Sequence, residues 1–369
     1  MTAKIDKGHY MNEAKTGILL CSCKGVISNI VNFQQVSDYI LKKRDSIIVK
    51  ITDSLCEEPN TIEDFVKNNN FNSFVIGGCS PKLYKTLFID IVSKAGLDPF
   101  SLEIVNLREQ CASVHAKTPE LATEKAKLLL QAQIKKASEF EEIPYEALKP
   151  SLIKFDEKID RRTFFKTLTK GLMHYQVIPY IDQNLCVASR RCRLCIKNCS
   201  FKAITVETQE VVRVKKISIN KNKCQGCGIC IPVCPLNAIK FPTFNIEQID
   251  IQLKELLLNG TVLNPKIIML SCHEAYSIID MIGLSGFTYP PNILTVEVPC
   301  IGIISPLLIL RAFDLGADGL TIVSCPQTQC PYKVKLNLIQ KNISLANGIL
   351  RSFGIAPERI LFLTITRDD

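Results

Sequence analysis

The sequence predicts two α/β domains with mostly parallel sheets, separated by a smaller α+β domain that is rich in cysteine. Its 369 residues, 47% of them hydrophobic, exceed what one ordinary core accommodates. Patterns of short buried strands alternate with helical patterns at both ends of the chain. The 17 cysteines fall into three groups, with five before residue 112, eight between 186 and 234, and four after 271. So many cysteines without a signal peptide indicate metal sites in a reducing compartment rather than disulfides.

The first predicted domain covers residues 1–140. Its strand patterns lie at 17–20, 46–51, 73–78 and 102–106, and its helical patterns lie near 33–42, 60–69, 81–95 and 119–138. The five cysteines follow these strands, and they are Cys21, Cys23, Cys56, Cys79 and Cys111. Ligands of open α/β sheets collect beyond the carboxyl ends of the strands, so we expect these thiols to meet at one edge. A buried structural cysteine explains any one of them, but five at matching strand ends favour a cluster.

The middle domain, predicted for residues 179–245, contains an internal repeat. The segment "CSFKAI" at 199–204 recurs 35 residues later as "CPLNAI" at 234–239. The second copy, "CQGCGICIPVCP", has the C-x2-C-x2-C-x3-C-P spacing of a 4Fe-4S site. Zinc ribbons use cysteine pairs separated by a longer gap, so the spacing favours iron-sulfur over zinc. The first copy carries three extra residues between its first two cysteines, which lengthens a loop and keeps all four thiols.

In two-cluster ferredoxins the fourth cysteine of each run binds the other cluster. The predicted ligands of one 4Fe-4S cluster are therefore Cys186, Cys192, Cys195 and Cys234. Those of the other are Cys224, Cys227, Cys230 and Cys199. Apolar and polar residues alternate over 203–220, as they do in a β-hairpin, which suits the small sheet of such a domain. The predicted fold is thus two Rossmann-like α/β domains flanking a bacterial-type two-cluster ferredoxin domain.

The last predicted domain covers residues 246–369, and a predicted linker at 141–178 precedes the ferredoxin domain. Its strand patterns lie at 266–270, 293–298, 320–324 and 360–365, and its helical patterns lie near 272–283, 305–315 and 334–353. Cys272, Cys300 and Cys325 each follow a strand, and Cys330 lies in the same loop as Cys325. Four thiols at one sheet edge suffice for a 2Fe-2S or a 4Fe-4S centre.

Motifs in the first domain resemble a known family. The segments "LLCSCKG", "GGCSPKLYKTLF" and "AGLDPFSLEIVNLREQCASVH" are similar to the N-terminal region of the A subunit of heterodisulfide reductase, over about residues 15–138. The resemblance implies a 4Fe-4S cluster held by four of the five cysteines. It leaves open which one is spare, although only one of Cys21 and Cys23 is needed. In that protein an FAD-binding domain with a glycine-rich fingerprint follows. This chain has no G-x-G-x-x-G after a strand, so no flavin is expected.

Motifs in the last domain resemble another family. The segments "YPPNILTVEVPCIG", "LRAFDLGADGLTIVSC" and "ILRSFGIAPERI" are similar to the delta subunit of methyl-viologen-reducing hydrogenase, over about residues 266–363. The resemblance implies a 2Fe-2S cluster whose ligands here are Cys272, Cys300, Cys325 and Cys330. Two positions depart from the family. Ala275 stands where the second cysteine of a C-x2-C pair would fall, and Ile303 stands where an arginine is usual.

These observations predict a cytoplasmic electron-transfer subunit with three 4Fe-4S clusters and one 2Fe-2S cluster. No acid–base pair, activated nucleophile or phosphate loop is visible, so we expect the chain itself to be non-catalytic. By resemblance, its partners are hydrogenase or formate dehydrogenase subunits, heterodisulfide-reductase-like subunits and ferredoxin or another soluble acceptor. Electrons would pass between these modules in either direction.

Two alternative functions compete with this one. An oxidoreductase with its own cluster- or flavin-based substrate site is the main rival, and the missing glycine-rich fingerprint counts against it. A zinc-containing nucleic-acid-binding protein would suit the formal charge of +9. However, sixteen thiolates around four clusters contribute roughly −8, so the basic balance almost disappears. The apolar runs are too short for a membrane span, and we expect no membrane or nucleic-acid partner.

Overall fold

The computed structural model describes residues 15–43, 46–139, 147–152, 173–187, 192–208, 215–241, 245–260, 262–332 and 336–366. The chain forms two compact units. The first unit contains the chain up to residue 140 together with Ile251–Lys266 and Ile279–Leu294. The second unit contains Glu141–Asp250, Ile267–Ile278 and Thr295–Asp369.

A four-stranded parallel sheet forms the centre of the first unit. Its strands are β1 (Thr16–Cys21), β2 (Ile47–Thr52), β3 (Ser73–Gly78) and β4 (Leu102–Asn106), in the order β2-β1-β3-β4. Its helices are α1 (Phe33–Leu41), α2 (Asn60–Lys67), α3 (Pro81–Lys94) and α4 (Pro119–Ser138). A π-helical segment, Arg108–Ser113, follows β4. The structure confirms the alternating α/β pattern predicted for this region.

The central strands β1 and β3 are buried at every residue, as expected for parallel strands that are covered on both faces. Close packing explains Gly17, because a Cβ there would lie 2.5 Å from the Phe71 ring. Helix starts are also encoded locally. The Asn32 side chain accepts a hydrogen bond from the Gln35 N–H at 3.0 Å, which caps α1.

The middle of the chain forms three short antiparallel pairs. Strands β5 (Leu148–Leu152) and β6 (Met173–Val177) pair with each other, β7 (Tyr180–Ile181) pairs with β10 (Ile239–Lys240), and β8 (Ile204–Thr208) pairs with β9 (Lys215–Ile219). The helices are α5 (Leu194–Asn198) and α6 (Ile246–Leu258). The pairing of β8 with β9 confirms the predicted hairpin. The β5–β6 pair lies inside the predicted linker and was not anticipated.

A second four-stranded sheet lies in the last part of the chain. Its strands are β11 (Ile267–Cys272), β12 (Ile293–Val298), β13 (Gly319–Ser324) and β14 (Ile360–Thr364), in the order β12-β11-β13-β14. The helices are α7 (His273–Leu284), α8 (Pro306–Asp314) and α9 (Leu336–Ser352). Strand β13 pairs in parallel with both β11 and β14. In this sheet β11 lies between β12 and β13, just as β1 lies between β2 and β3 in the first sheet. The two sheets therefore share the same strand order.

No helix in the described part of the chain is long and apolar enough to cross a membrane.

Candidate metal centres

Four thiols of the first unit gather where its strands end. Cys21 is the last residue of β1, and the Sγ atoms of Cys23 and Cys79 lie 3.8 Å apart. Burial raises the pKa of Cys21, and the nearby thiols of Cys23 and Cys56 raise it further. The Tyr84 hydroxyl contacts Cys56, and the thiols of Cys56, Cys79 and Cys23 raise the Tyr84 pKa. All four thiols therefore share one neighbourhood.

The loop after β1 brings two of these thiols to the same edge. Cys23 and Lys24 adopt left-handed backbone conformations, with φ of 53° and 52°. The Lys24 N–H donates to the Asp53 carbonyl oxygen at 3.2 Å, which holds the loop against the end of β2. The Arg108 Nη1 atom lies 4.0 Å from Cys79 Sγ. Burial and the Cys23 thiol raise the pKa of Cys79 to about 12, and the guanidinium acts in the opposite direction by favouring the thiolate that binds metal.

Cys111 lies apart from this group. It belongs to the π-helical segment, is fully buried, and has the Lys125 ammonium as its charged neighbour. Burial raises the pKa of its thiol to about 12. The Lys125 Nζ atom lies 3.2 Å from His115 Nε2 and 3.3 Å from the Tyr289 hydroxyl. The charged and polar neighbours of Cys111 are thus Lys125 and Tyr289, whereas the other four thiols neighbour one another. The sequence had left open which of the five is the spare thiol.

The eight thiols of the middle domain divide as the spacing predicts. One cavity is lined by Cys186, Cys192, Cys195 and Cys234. Burial raises the pKa of Cys195, and the other three thiols of this set raise it further. The remaining four thiols are neighbours of one another, and they are Cys199, Cys224, Cys227 and Cys230. Burial raises the pKa of Cys227 to about 11, with further increases from the neighbouring thiols of Cys224 and Cys199. The pKa of Cys230 is raised by burial and by the same neighbours.

The backbone repeats its geometry as well as its sequence. The N–H of Ala203 donates to Cys199 Sγ at 3.3 Å, and the N–H of Ala238 donates to Cys234 Sγ at 3.3 Å. The residues before these alanines both adopt left-handed conformations, with φ of 50° at Lys202 and 49° at Asn237. Residues 188–191, the segment of the stretched first loop between Val187 and Cys192, lie outside the described residues.

The four thiols of the last domain line a single cavity together with Tyr332. Cys272 accepts hydrogen bonds from the backbone N–H groups of Ala275 at 3.5 Å and Cys325 at 3.4 Å. The Cys325 thiol and these N–H groups lower the Cys272 pKa to about 7, against the effect of burial. A hydrogen bond with the Cys330 thiol and burial raise the pKa of Cys300. At Ala275, where the delta-subunit pattern has a cysteine, the backbone still donates a hydrogen bond to a thiol.

Each of the four sets fits an iron-sulfur cluster by the chemistry of its donors. Four thiols with backbone N–H donors close to the sulfur atoms are the ligand set that such clusters use. Within the described residues, no three His, Cys, Asp or Glu side chains would hold a single metal ion. This concerns single ions, since each thiol of a cluster binds one iron atom of several.

Comparison with known proteins agrees with the motifs. Residues 267–369 match the family of the delta subunit of methyl-viologen-reducing hydrogenase, and residues 185–238 match the 4Fe-4S dicluster domain. The A subunit of the H2:CoB-CoM heterodisulfide,ferredoxin reductase of Methanothermobacter thermautotrophicus is 30% identical over 284 residues, covering 67% of this chain and 42% of that protein. The chain resembles a fusion of these modules.

Further relatives are similar to this chain to about the same extent. The corresponding A subunit of Methanothermobacter marburgensis is 30% identical over 281 residues, covering 66% of the fusion and 41% of that protein. One of the iron-sulfur A subunits of the CoB–CoM heterodisulfide reductase of Methanopyrus kandleri is 26% identical over 257 residues, covering 61% of this chain and 38% of that protein. The fusion therefore spans about two fifths of the length of these relatives. The similarity supports an iron-sulfur electron-transfer component of an oxidoreductase.

Proposed function

We propose that this protein relays electrons between a hydrogenase or formate dehydrogenase module and a heterodisulfide-reductase-like module or a soluble acceptor such as ferredoxin. The observation that carries the proposal is the grouping of sixteen thiols into four sets of four. Bound clusters would supply reversible one-electron exchange. The resemblance of the last domain to a hydrogenase delta subunit supports the first partner class. The relatives among heterodisulfide reductase A subunits support the second.

In this proposal, a 4Fe-4S cluster of the first unit is held by Cys21, Cys23, Cys56 and Cys79. The two predicted ferredoxin ligand sets are retained, and the last set, Cys272, Cys300, Cys325 and Cys330, holds a 2Fe-2S cluster. The protein contributes the thiolates, the backbone N–H donors that stabilise negative sulfur, and burial that limits contact with water. We further propose a cytoplasmic location, because thiolate sites of this density require a reducing compartment.

Anaerobic reconstitution of the full chain, followed by iron and sulfide analysis, tests this function. Four occupied sites correspond to about 14 iron atoms per chain. A content of about eight iron atoms would mean that only the ferredoxin sites are occupied, and would contradict the relay. Flavin analysis of the same sample distinguishes the rival function. We expect no bound flavin, whereas a stoichiometric flavin would favour an oxidoreductase with its own substrate site.

A further inference from the structure

One ferredoxin loop of the second unit packs directly against the segment that follows Cys300. Gly228 follows Cys227 and has a φ of 75°, and a Cβ atom built on it would lie 2.7 Å from Ile303 Cγ2. Real Cβ atoms are essentially never found so close to another heavy atom. Ile303 ends the 3-10 helix Ile301–Ile303, which begins directly after Cys300. The glycine therefore allows an approach that no other residue would permit without displacement.

The thiols nearest to this contact also belong to different sets. Tyr332 lines the cavity of the C-terminal thiols. Burial raises the Tyr332 pKa to about 12, with further increases from the thiols of Cys300 and Cys227. Cys227 likewise contributes to the raised pKa of Cys300, after the Cys330 thiol and burial. Cys227 is thus a ferredoxin thiol that faces the C-terminal set.

The internal repeat offers a comparison within the same chain. The position that matches Gly228 in the first copy is Arg193, whose φ is −139° and whose Nη1 atom donates to the Cys192 carbonyl oxygen at 2.7 Å. The first copy thus carries a long cationic side chain where the second copy has none. Ile303 itself departs from the delta-subunit pattern, which usually has an arginine there. A short apolar side chain at 303 suits a neighbour that lacks a Cβ.

We propose that Gly228 and Ile303 set the closest approach between two thiol sets, and that this approach decides the order of the relay. The site of Cys199, Cys224, Cys227 and Cys230, rather than its repeat partner, exchanges electrons directly with the site of Cys272, Cys300, Cys325 and Cys330. The step moves one electron, so one site is oxidised as the other is reduced, and no bond breaks. Because electron tunnelling falls exponentially with distance, the nearer site is the direct partner. This inference rests on the proposed function.

The first test removes each ferredoxin site in turn from the reconstituted full chain. Cys186→Ala and Cys224→Ala remove the first ligand of each copy and are therefore a matched pair. The measurement is the microwave power that half-saturates the EPR signal of the reduced C-terminal site, because a nearby paramagnet speeds its relaxation. We expect Cys224→Ala to lower this power several-fold and Cys186→Ala to leave it almost unchanged. The reverse order would overturn the proposal.

The second test keeps all thiols and changes only the contact. Gly228→Ala should lower the half-saturation power by a smaller factor than loss of the ferredoxin site does, because it moves the two sites apart without removing either. Ile303→Ala in the same chain should restore most of the loss, because the clashing Cγ2 atom is gone. Gly316→Ala is the control. Gly316 also has a positive φ, of 96°, but its Cβ would meet nothing within 4 Å, so this variant reports backbone strain alone.

Iron analysis separates the two possible failures. Normal relaxation in Gly228→Ala with a full iron content would overturn the inference and leave the proposed function intact. A wild-type chain with no iron at the C-terminal site would contradict the proposed function, and the inference with it.

Discussion

At the scale of single residues, two cysteines that follow strands of the first unit have different surroundings. Cys79 follows β3 and lies 3.8 Å from Cys23, with a guanidinium close by. Cys111 lies five residues after the end of β4, in a π-helical segment that places its thiol in the core. Burial raises the pKa of both thiols to about 12, so burial does not distinguish them. Their neighbours differ, because the Cys23 thiol lies beside Cys79 and the Lys125 ammonium lies beside Cys111.

This contrast predicts different iron contents for two alanine variants. Cys79→Ala should lose about four iron atoms per chain after reconstitution, because a cluster of the first unit would lack one thiolate. Cys111→Ala should keep the wild-type iron content. Iron analysis of the two purified variants side by side is the measurement. Equal losses from both variants would contradict the assignment of Cys21, Cys23, Cys56 and Cys79 as the ligand set.

Lys125 predicts a pH dependence of stability. Its ammonium is fully buried, next to Cys111, His115 and Tyr289, and burial lowers its pKa to about 8. In the unfolded chain the same group has its ordinary pKa of 10.5. The folded state therefore binds this proton less tightly, and stability rises with pH between about 8 and 10.5. The full difference between the two pKa values corresponds to about 3 kcal/mol in the free energy of unfolding.

The variant Lys125→Met removes this titration. The variant lacks the cost of the buried ammonium, so it should have a higher Tm than wild type near pH 8. This difference in Tm should shrink as the pH rises from 8 to 10.5, and parallel thermal unfolding scans would measure it. Other groups titrate in both proteins, so the difference between the two isolates Lys125. A difference in Tm that is constant over this range would contradict the depressed pKa.

At the scale of elements, the last cysteine of each ferredoxin run lies among the thiols of the other run. Cys199 belongs to the first run in sequence but lies among the thiols of the second, and Cys230 and Cys227 both have it as a neighbour. Cys234 makes the opposite exchange and neighbours Cys195. In the proposed assignment neither run supplies all four ligands of a site, so the two halves depend on each other.

The exchange predicts which variants behave alike. Cys199→Ala should remove the same EPR signal as Cys224→Ala, although 199 is in the other run. Cys234→Ala should instead match Cys186→Ala. Redox titration followed by EPR distinguishes the two signals. If Cys199→Ala matched Cys186→Ala, each run would bind its own cluster and the assignment would be wrong.

The same elements show how much the sequence could predict. Buried apolar runs such as those of β1 and β3 predicted both parallel sheets, because strands covered on both faces have this composition. Cysteine spacing predicted the two ferredoxin sets. The β5–β6 pair was missed, since "LKPSL" contains a proline and neither strand alternates clearly. The separation of Cys111 depends on the turn of a π-helix, which strand patterns do not encode.

At the scale of the whole molecule, the bound clusters would change how the protein meets its partners. The chain has a formal charge of +9 with neutral cysteines, and its sequence pI is about 8.7. Each oxidised centre with four thiolates carries about −2, so four centres offset most of this charge. The apoprotein would attract polyanions through its field, and the loaded protein would not.

Isoelectric focusing of both forms under anaerobic conditions therefore provides a test at this scale. The loaded protein should focus near neutral pH, and removal of iron by a chelator should shift it towards 8.7. Removal of iron should also strengthen the retention of the protein on heparin. This retention should weaken as salt is added, because salt screens long-range attraction between exposed charges. Cys111→Ala is the matched control, since it removes a thiol outside the proposed sets and should shift as wild type does. An unchanged isoelectric point after complete loss of iron would mean that the sixteen thiols do not bind as thiolates, and would contradict the four-centre assignment independently of any partner.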